Sequence, residues 1–333
     1  MKNRTSRLLG IGAAAFLAST LVACSGGAAP QSGGGDAPSS DEPTPITVAQ
    51  YPVMSNAAVN IGVNEGIFEE HGLDVTLETI TSGPDSVPLL LSGDLTFTSI
   101  DVPTLINATK ENVGLVAVGA MMVGQDVDRG YVGVVASPES GISDWADLEG
   151  KKVGVNALGS TPVALIGASM EEAGADPSKV QWVQIAQPET IPALQSGQLD
   201  AANLAQPLLT AAEEAGFEQV GNPEKLTVPG IPTFVYVTTA AYAEQNPEVV
   251  AAFQDALNAS GEMANNDHEL ARETAKSSTT VDPAVLDKVN GFPKWGSTPI
   301  TGEDLDKFIE LLVKAGQLDE GSAPSGADMV WSR

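Results

Sequence analysis

Cysteine and histidine are scarce in this chain of 333 residues, and their scarcity excludes whole classes of site. The single cysteine, Cys24, cannot form an internal disulfide or join a cysteine cluster for zinc. Only two histidines are present, and neither can be paired with a serine on the loops considered below. A Gly-rich phosphate loop followed by Lys-Ser/Thr is also missing. We therefore predict a binding protein and not an enzyme, with no catalytic residues, no metal site and no cofactor.

Basic residues are few as well. Lys and Arg number 16 against 43 Asp and Glu, which gives a formal net charge of −27. Nucleic acid is excluded as a partner, because neutralising phosphates requires Lys and Arg. Adsorption on anionic lipid is disfavoured for the same reason. The acidity favours solubility and says little about a ligand.

One apolar run stands out, and it lies at the N-terminus. Three basic residues precede Leu8–Ala23, a stretch of 16 residues. This arrangement is typical of a secretory signal, and the stretch is short for a membrane span, which needs about 20 residues. The run ends in Leu21-Val22-Ala23-Cys24, which resembles the bacterial lipobox. We predict a lipoprotein signal peptide at 1–23 and lipidation of Cys24 on the outer face of the cytoplasmic membrane. The alternative is a chance cysteine near an ordinary cleavage site.

A segment rich in Gly, Ser, Ala and Pro follows the cysteine. It has no apolar period and too little apolar surface to order itself. A flexible linker of about 20 residues would span roughly 25 Å. We interpret 24–45 as the lipid anchor and a tether for the folded body.

The folded body contains an internal repeat. Residues 84–108 recur at 188–212 without a gap, at a constant offset of 104. A period near 100 is too long for a solenoid, whose repeats run about 20–50 residues. It predicts two copies of one α/β lobe with a cleft between them. Strand-like and helix-like patterns alternate in each copy, which favours a mainly parallel sheet flanked by helices.

Two runs rich in Val, Tyr and Thr, Tyr131–Ala136 and Phe234–Thr239, are interpreted as the crossings between the lobes. The tail after Thr239 is mostly helical and should pack on the first lobe. We therefore assign 46–130 plus 240–333 to lobe one, and 131–239 to lobe two and the hinge strands.

Ligands of open α/β sheets bind outside the carboxyl ends of the strands. The loops expected there carry hydroxyls, amides, a phenol and thioethers, and no Lys, Arg or His. The candidate ligand-binding residues are Tyr51, Asn56, Ser82, Gly83, Asp101, Met121, Asn156, Ser160, Thr161, Gln187, Asn203 and Gln206.

This chemistry predicts a small, polar organic ligand, neutral or singly anionic. Helix N-termini at Ser160-Thr161-Pro162 and Ser82-Gly83-Pro84 could hold a small anion without a fixed cation. Asp101 has two interpretations, which are an N-cap of the following helix and a direct ligand contact.

Several motifs in order carry a family resemblance. Glu65-Gly66-Ile67-Phe68, Leu91-Ser92-Gly93-Asp94 and Asp147-Leu148-Glu149-Gly150 resemble the solute-binding proteins of bacterial ABC importers. Within them, the chain resembles the branch for nitrate, taurine, alkanesulfonates and thiamine-pyrimidine precursors, over about residues 46–317. Asp101-Val102-Pro103 is similar to the Gly-Asp-x-Pro turn of alkanesulfonate-type members, with Ile100 in place of the glycine.

The resemblance implies an α/β, two-lobed, periplasmic-binding-protein-like fold with two hinge strands. It also implies a monomer that delivers its ligand, with a sulfonate or taurine-like compound as the leading candidate, to an ABC permease and its ATPase. Two alternatives remain. One is a ligand-sensing lipoprotein that docks on a receptor. The other is an enzyme similar to the pyrimidine-precursor synthase of fungi, which needs a cysteine-rich loop, whereas this chain has one cysteine.

Overall fold

A computed structural model describes residues 42–80 and 83–332 of the chain. Its strands fall into two groups. The signal peptide, Cys24 and Ser82 lie outside the described residues. The strands of the described part are β1 (Thr44–Gln50), β2 (Leu73–Thr79), β3 (Thr98–Asp101), β4 (Leu115–Val123), β5 (Val132–Ala136), β6 (Lys152–Val155), β7 (Gln181–Gln184), β8 (Ala201–Ala205), β9 (Glu218–Gly221), β10 (Pro232–Thr239) and β11 (Lys294–Trp295).

Helices cover these strands and build most of the tail. They are α1 (Ala57–Asn64), α2 (Ile67–Glu70), α3 (Gly83–Ser92), α4 (Val102–Lys110), α5 (Thr161–Glu172), α6 (Gln187–Gln195), α7 (Leu208–Glu214), α8 (Pro223–Thr227), α9 (Ala240–Gln245), α10 (Pro247–Asn266), α11 (His268–Ser278), α12 (Pro283–Leu286) and α13 (Gly302–Lys314). None of the helices in the described part of the chain combines the length and the apolarity that a membrane span requires.

The first lobe is built on β1–β4, β10 and β11. β1 and β2 pair in parallel from Thr44↔Leu73 to Gln50↔Thr79, and Val48 of β1 forms a parallel bridge to Phe97 just before β3. The remaining four strands have the order β11-β4-β10-β3, with β10 antiparallel to both neighbours. A late strand of the chain therefore lies between two early ones.

The second lobe is a five-stranded sheet of order β7-β6-β8-β5-β9. β6 pairs in parallel with β7 and β8, whereas β5 is antiparallel to β8 and β9. Each lobe thus carries parallel strands and helices, as predicted, with a strand of opposite direction inserted among them.

The repeat is visible as equivalent helices. α3 and α6 begin at Gly83 and Gln187, which are 104 residues apart, and each contains a proline at the same position. Each helix is followed by a glycine with positive φ, at Gly93 (84°) and Gly197 (70°). An L side chain rarely adopts this conformation, so glycine ends both helices.

The structure does not confirm Tyr131–Ala136 and Phe234–Thr239 as crossings between the lobes. Five residues of the first run form β5, inside the second sheet, and the second run belongs to β10, inside the first. The chain passes between the sheets in the segments 124–131 and 228–231, directly before these strands.

The two crossings contact each other. The N–H of Gly124 donates to the carbonyl of Ile231 at 2.9 Å, and the N–H of Gly230 donates to the carbonyl of Gly124 at 2.8 Å. A Cβ on Gly124 would lie 2.1 Å from the carbonyl oxygen of Val228. Only glycine permits this approach.

The tail packs on the strands and helices of the first lobe. Phe253 of α10 is fully buried, and its ring stacks on Phe97 with centroids 3.9 Å apart and an angle of 4°. Trp295 of β11 is also buried, and its indole N–H donates to the carbonyl of Ser55 at 2.8 Å. The last helices therefore complete the core that the first strands begin.

Candidate ligand-binding cleft

The first polar group of the candidate site lies at the end of β3. Asp101 is the N-cap of α4, and its Oδ1 accepts a hydrogen bond of 3.0 Å from the N–H of Thr104. Such a cap satisfies one of the unpaired N–H groups in the first turn of a helix. The interpretation of Asp101 as a helix cap is confirmed.

α5 brings a donor from the other lobe to the same carboxylate. The backbone N–H of Thr161, the first residue of α5, lies close enough to Asp101 to lower the pKa of its carboxyl. Burial raises the pKa of the half-buried Asp101 carboxyl, and the N–H groups of Thr104 and Thr161 offset only part of that rise. The carboxylate therefore lies at the positive end of a helix, where the sequence predicts a place for a small anion.

Apolar contacts continue this junction along α5. Ala164 and Leu165 are nearly fully buried, in one cluster with Ile100 and Leu105 of the first lobe. The far face of α5 packs on the second sheet, where Val163 and Ile166 share a cluster with Ala201 of β8. One helix thus lies between the two lobes.

Three buried polar atoms near this junction have no hydrogen-bond partner: Ser99 Oγ, Thr161 Oγ1 and Asn203 Oδ1. Their residues are 0%, 4% and 5% exposed. Leaving such an atom without a partner costs about 1–3 kcal/mol, and the large majority of buried polar atoms in proteins avoid this cost.

The placement of these atoms follows from strand geometry. Ser99 lies two residues before Asp101 on β3, so the two share a face of the strand. Asn203 lies two residues after Ala201 on β8, on the face that α5 covers, and Thr161 opens that helix. The three orphaned atoms therefore belong to α5 itself or to strands that pack against it.

Tyr51, the residue after β1, places its phenol next to β3. Its hydroxyl donates to the carbonyl of Ser99 at 2.9 Å. Asn56 holds the backbone of Tyr51, because its Nδ2 donates to the carbonyl of Tyr51 at 2.8 Å. The Oδ1 of Asn56 accepts a hydrogen bond from the hydroxyl of Tyr236 at 3.3 Å. Asn56 is thus engaged within the first lobe and positions Tyr51.

In the second lobe, some of the predicted site residues are buried and others are exposed. Ser160 is buried, and its hydroxyl donates to the carbonyl of Ala157 at 2.6 Å. Asn156 is exposed and Gln187 is half-exposed at the start of α6.

Gln206 joins the second lobe to the tail. Its Oε1 accepts from the hydroxyl of Thr210 at 2.8 Å, and its Nε2 donates to Oδ1 of Asn290 at 3.3 Å. The Lys288–Glu214 ion pair, at 3.0 Å, connects the same two regions. The tail therefore contacts both lobes.

Two further candidates lie on β4 and α3. Met121 is 4% exposed, lies two residues before the end of β4 and packs in the core cluster that contains Phe253. Gly83 begins α3. Within residues 42–80 and 83–332, no group of three or more His, Cys, Asp or Glu is placed to hold a metal ion.

Ser99 is a further candidate for the site that is not among the predicted residues. It lies on β3, and its two-residue spacing from Asp101 places both on one face of the strand. That spacing could have identified it.

The family can be assigned by comparison with known proteins. A model of the family described as NMT1/THI5 like matches residues 56–271. The chain belongs to this family. The match covers most of both lobes, including β3, α5 and β8.

Two curated relatives support the assignment over most of the chain. The chain is 25% identical over 300 residues to the taurine-binding periplasmic protein of Escherichia coli (strain K12), covering 79% of this chain and 91% of that protein. It is also 25% identical over 294 residues to the formylaminopyrimidine-binding protein of Halalkalibacterium halodurans, covering 81% and 84% of the two chains.

Among solved structures, the fold is similar to that of an alkanesulfonate-binding protein from Xanthomonas axonopodis pv. citri bound to MOPS. The TM-score is 0.68 at 18% identity, over 87% of this chain and 99% of that one. This likeness shows the two-lobed periplasmic-binding-protein fold.

Proposed function

We propose that this NMT1/THI5-like protein is the solute-binding component of an ABC importer, which captures a small polar organic ligand between its lobes and delivers it to a permease and its ATPase. We further propose that it is exported, acts as a monomer and is lipid-anchored through Cys24. The division into two lobes is part of this proposal, with the boundaries moved from the predicted 131–239 to the crossings at 124–131 and 228–231.

The observation that carries the proposal is the set of orphaned atoms of Ser99, Thr161 and Asn203 between the lobes. A ligand that hydrogen-bonds to these atoms would regain the free energy that their isolation costs. It would also bridge the two lobes, since Ser99 belongs to the first and the other two to the second. Closure around a ligand is a known mode of domain motion for binding proteins.

The relatives favour transport over catalysis, because both curated relatives are named for binding and one of them as periplasmic. Their named ligands, taurine and a formylaminopyrimidine, are small polar organic compounds. A sulfonate or taurine-like compound is our leading candidate. Asn156 and Gln187, which are more exposed, are proposed to contact ligand at the mouth of the cleft.

Ligand capture can be tested by removing a single hydroxyl group. Thr161→Val keeps the shape of the side chain and removes Oγ1, and we expect it to weaken binding by about 0.5–1.5 kcal/mol, or roughly two- to tenfold. Calorimetry against taurine, alkanesulfonates, nitrate and pyrimidines provides the measurement. Native mass spectrometry of protein purified without refolding would identify a retained ligand.

A matched control is Thr109→Val, at the far end of α4, where the hydroxyl bonds to the carbonyl of Leu105 at 3.0 Å. Its affinity should equal that of the parent. If no compound binds and no ligand is retained, the proposed function is wrong. Equal affinities for Thr161→Val and the parent would place the site elsewhere.

Anchoring is tested separately. Cys24→Ser removes the thiol that lipidation requires, and we expect the protein to leave the membrane fraction or to keep its signal peptide. Fractionation and gel mobility measure both outcomes. A variant that stays membrane-bound with unchanged mobility would rule out the lipid anchor.

A further inference from the structure

The first crossing, 124–131, is held against α8 by three side chains that we call the clasp: Asn222, Glu224 and Lys225. Nδ2 of Asn222, the N-cap of α8, donates to the carbonyl of Val127 at 3.1 Å. Lys225 forms an ion pair with the exposed Asp128. α8 itself packs on α5 and β5 of the second lobe. While the clasp is intact, the start of the first crossing therefore moves with the second lobe.

Glu224 is the buried member of the clasp, at 4% exposure. Its Oε2 accepts a hydrogen bond from the N–H of Gln125 in the first crossing at 3.2 Å. It forms no ion pair with any Lys, Arg or His in the part of the chain that the structure describes. An ionised carboxylate that loses its water needs a cation or several donors in compensation, so this setting disfavours the charged form.

The elements around Glu224 supply little charge. β5 and the second crossing have no charged residue, and α5 has charges only at its last two positions. The titratable neighbours on the first crossing and on α8 are Asp126, Asp128, Arg129, Tyr131 and Lys225. Both cations among them are already paired, with Glu213 and Asp128. Burial accordingly raises the pKa of the Glu224 carboxyl to about 7, so that it changes charge near neutral pH.

The clasp is also connected to the helix of the candidate cleft. Val228 follows α8 and donates its N–H to the carbonyl of Glu224 at 3.0 Å. Its side chain is fully buried, in one cluster with Ala164 and Leu165 of α5. A displacement of α8 at the clasp therefore acts on the helix that begins at Thr161.

We propose that the clasp is a proton-sensitive device in the hinge, closed while Glu224 is neutral and opened when Glu224 ionises and draws water to itself. Opening releases residues 125–128 from α8, and the lobes can then rotate apart. The proton is bound more tightly by the closed clasp, so it stabilises the closed form at low pH, and that gain is lost as pH rises through about 7. Ligand affinity should fall over the same range, because ionisation shifts the population toward the open form. This last step rests on the proposed function, whereas the opening of the clasp does not.

Hydrogen exchange of the protein without added ligand tests the clasp itself. The N–H of Gln125 donates to Glu224, and the N–H of Tyr131 donates to Oε1 of Gln125 at 3.0 Å, so both amides report on it. After correction for the intrinsic effect of pH on exchange, protection of peptides spanning 124–131 should fall by about threefold or more between pH 6 and pH 8.5. In Glu224→Gln it should change by less than about 1.5-fold, because Gln keeps an acceptor and cannot ionise.

Two further variants make the result specific to Glu224. Glu224→Met, a second side chain without a titrating group, should behave as Glu224→Gln does. Asp128→Asn removes the exposed ion pair of the same clasp and should keep the dependence of the parent on pH. The proposal is overturned if protection in the parent is equal at both pH values, if either neutral variant at 224 keeps the decline, or if Asp128→Asn abolishes it.

Calorimetry with ethanesulfonate and nitrate, whose charge is constant over this range, tests the connection to ligand. The Kd of a probe that binds should rise by about threefold or more from pH 6 to pH 8.5 in the parent and stay nearly constant in Glu224→Gln. A Kd that is independent of pH while exchange depends on it would overturn the connection between clasp and cleft. Failure of both probes to bind would count against the proposed ligand class, and the exchange result would still decide the clasp, since it uses no ligand.

Discussion

Glu224→Gln is expected to be more stable than the parent protein at pH 8, by about 3 kcal/mol, and nearly equal to it at pH 4.5 or below. Glu224 is buried in α8, next to the second crossing, with its Oε2 accepting from the N–H of Gln125 in the first crossing at 3.2 Å. Burial raises the pKa of this carboxyl from 4.5 to about 7, and the bond from Gln125 opposes the rise only in part.

The sign of the stability difference between variant and parent follows from proton binding. Between pH 4.5 and about 7 the folded protein keeps the Glu224 proton, while the unfolded chain loses it. The free energy of unfolding therefore falls as pH rises through this window, by about 1.4 kcal/mol for each unit of pKa difference, and is constant above it. Gln is neutral throughout and can still accept from Gln125, so the variant avoids this loss.

Urea unfolding at several values between pH 4.5 and 8 measures the effect as a difference between variant and parent. Glu218→Gln, an exposed carboxylate on the neighbouring strand β9, is the matched control and should follow the parent at every pH. Parallel curves for parent and Glu224→Gln would show that Glu224 is ionised in the folded protein across this range.

Phe253→Ala is expected to destabilise the protein by about 3–5 kcal/mol, through lost burial and the cavity left behind. The ring contacts three others, with centroids 3.9 Å from Phe97 and 5.7 Å from both Phe68 and Tyr236. Such aromatic pairs add to the free energy of burial. Because Phe253 lies on α10, the change also tests how strongly the tail holds the first lobe.

Denaturant titration gives the free energy of unfolding for this comparison. Phe253→Leu should lose clearly less stability, since leucine fills most of the volume of the phenylalanine side chain. Leu158→Ala, at a position 58% exposed, should stay within about 0.5 kcal/mol of the parent. A loss below 1 kcal/mol in Phe253→Ala would mean that the tail contributes little to the core.

Most elements could be predicted from local patterns. Apolar residues at 249, 250, 253 and 257 indicate the long tail helix, which the structure gives as Pro247–Asn266. β9 carries no clear strand pattern, because its four residues are partly polar and do not alternate clearly. β11 has only two residues and is defined by its pairing with β4, which no local pattern encodes.

The two crossings lie before the segments that the sequence predicts for them, and the reason is physical. A run such as Phe234–Thr239 is rich in residues that favour strands, and a strand needs paired neighbours, which a segment between two sheets lacks. β-propensity therefore marks where the chain enters a sheet. The crossings themselves depend on close backbone approach at Gly124, which a pattern of side chains does not reveal.

The candidate site was predicted in part. Local sequence identifies Asp101 as a cap, because its partner Thr104 lies three residues away. Its second partner, Thr161, is 60 residues away on the other lobe, so only the fold brings them together. The absence of basic side chains from the loops was readable from the sequence.

The paired crossings also constrain the opening of the lobes that we propose for ligand release. Gly124 is held to Ile231 and to Gly230 by two backbone hydrogen bonds, so the crossings lie side by side. Rotation about the line that joins them leaves both bonds intact, whereas a twist that slides one crossing past the other breaks them. We therefore expect release to follow a single axis of rotation. Along that path the distance between Asp101 and the start of α5 grows, while the distance between the crossings stays constant.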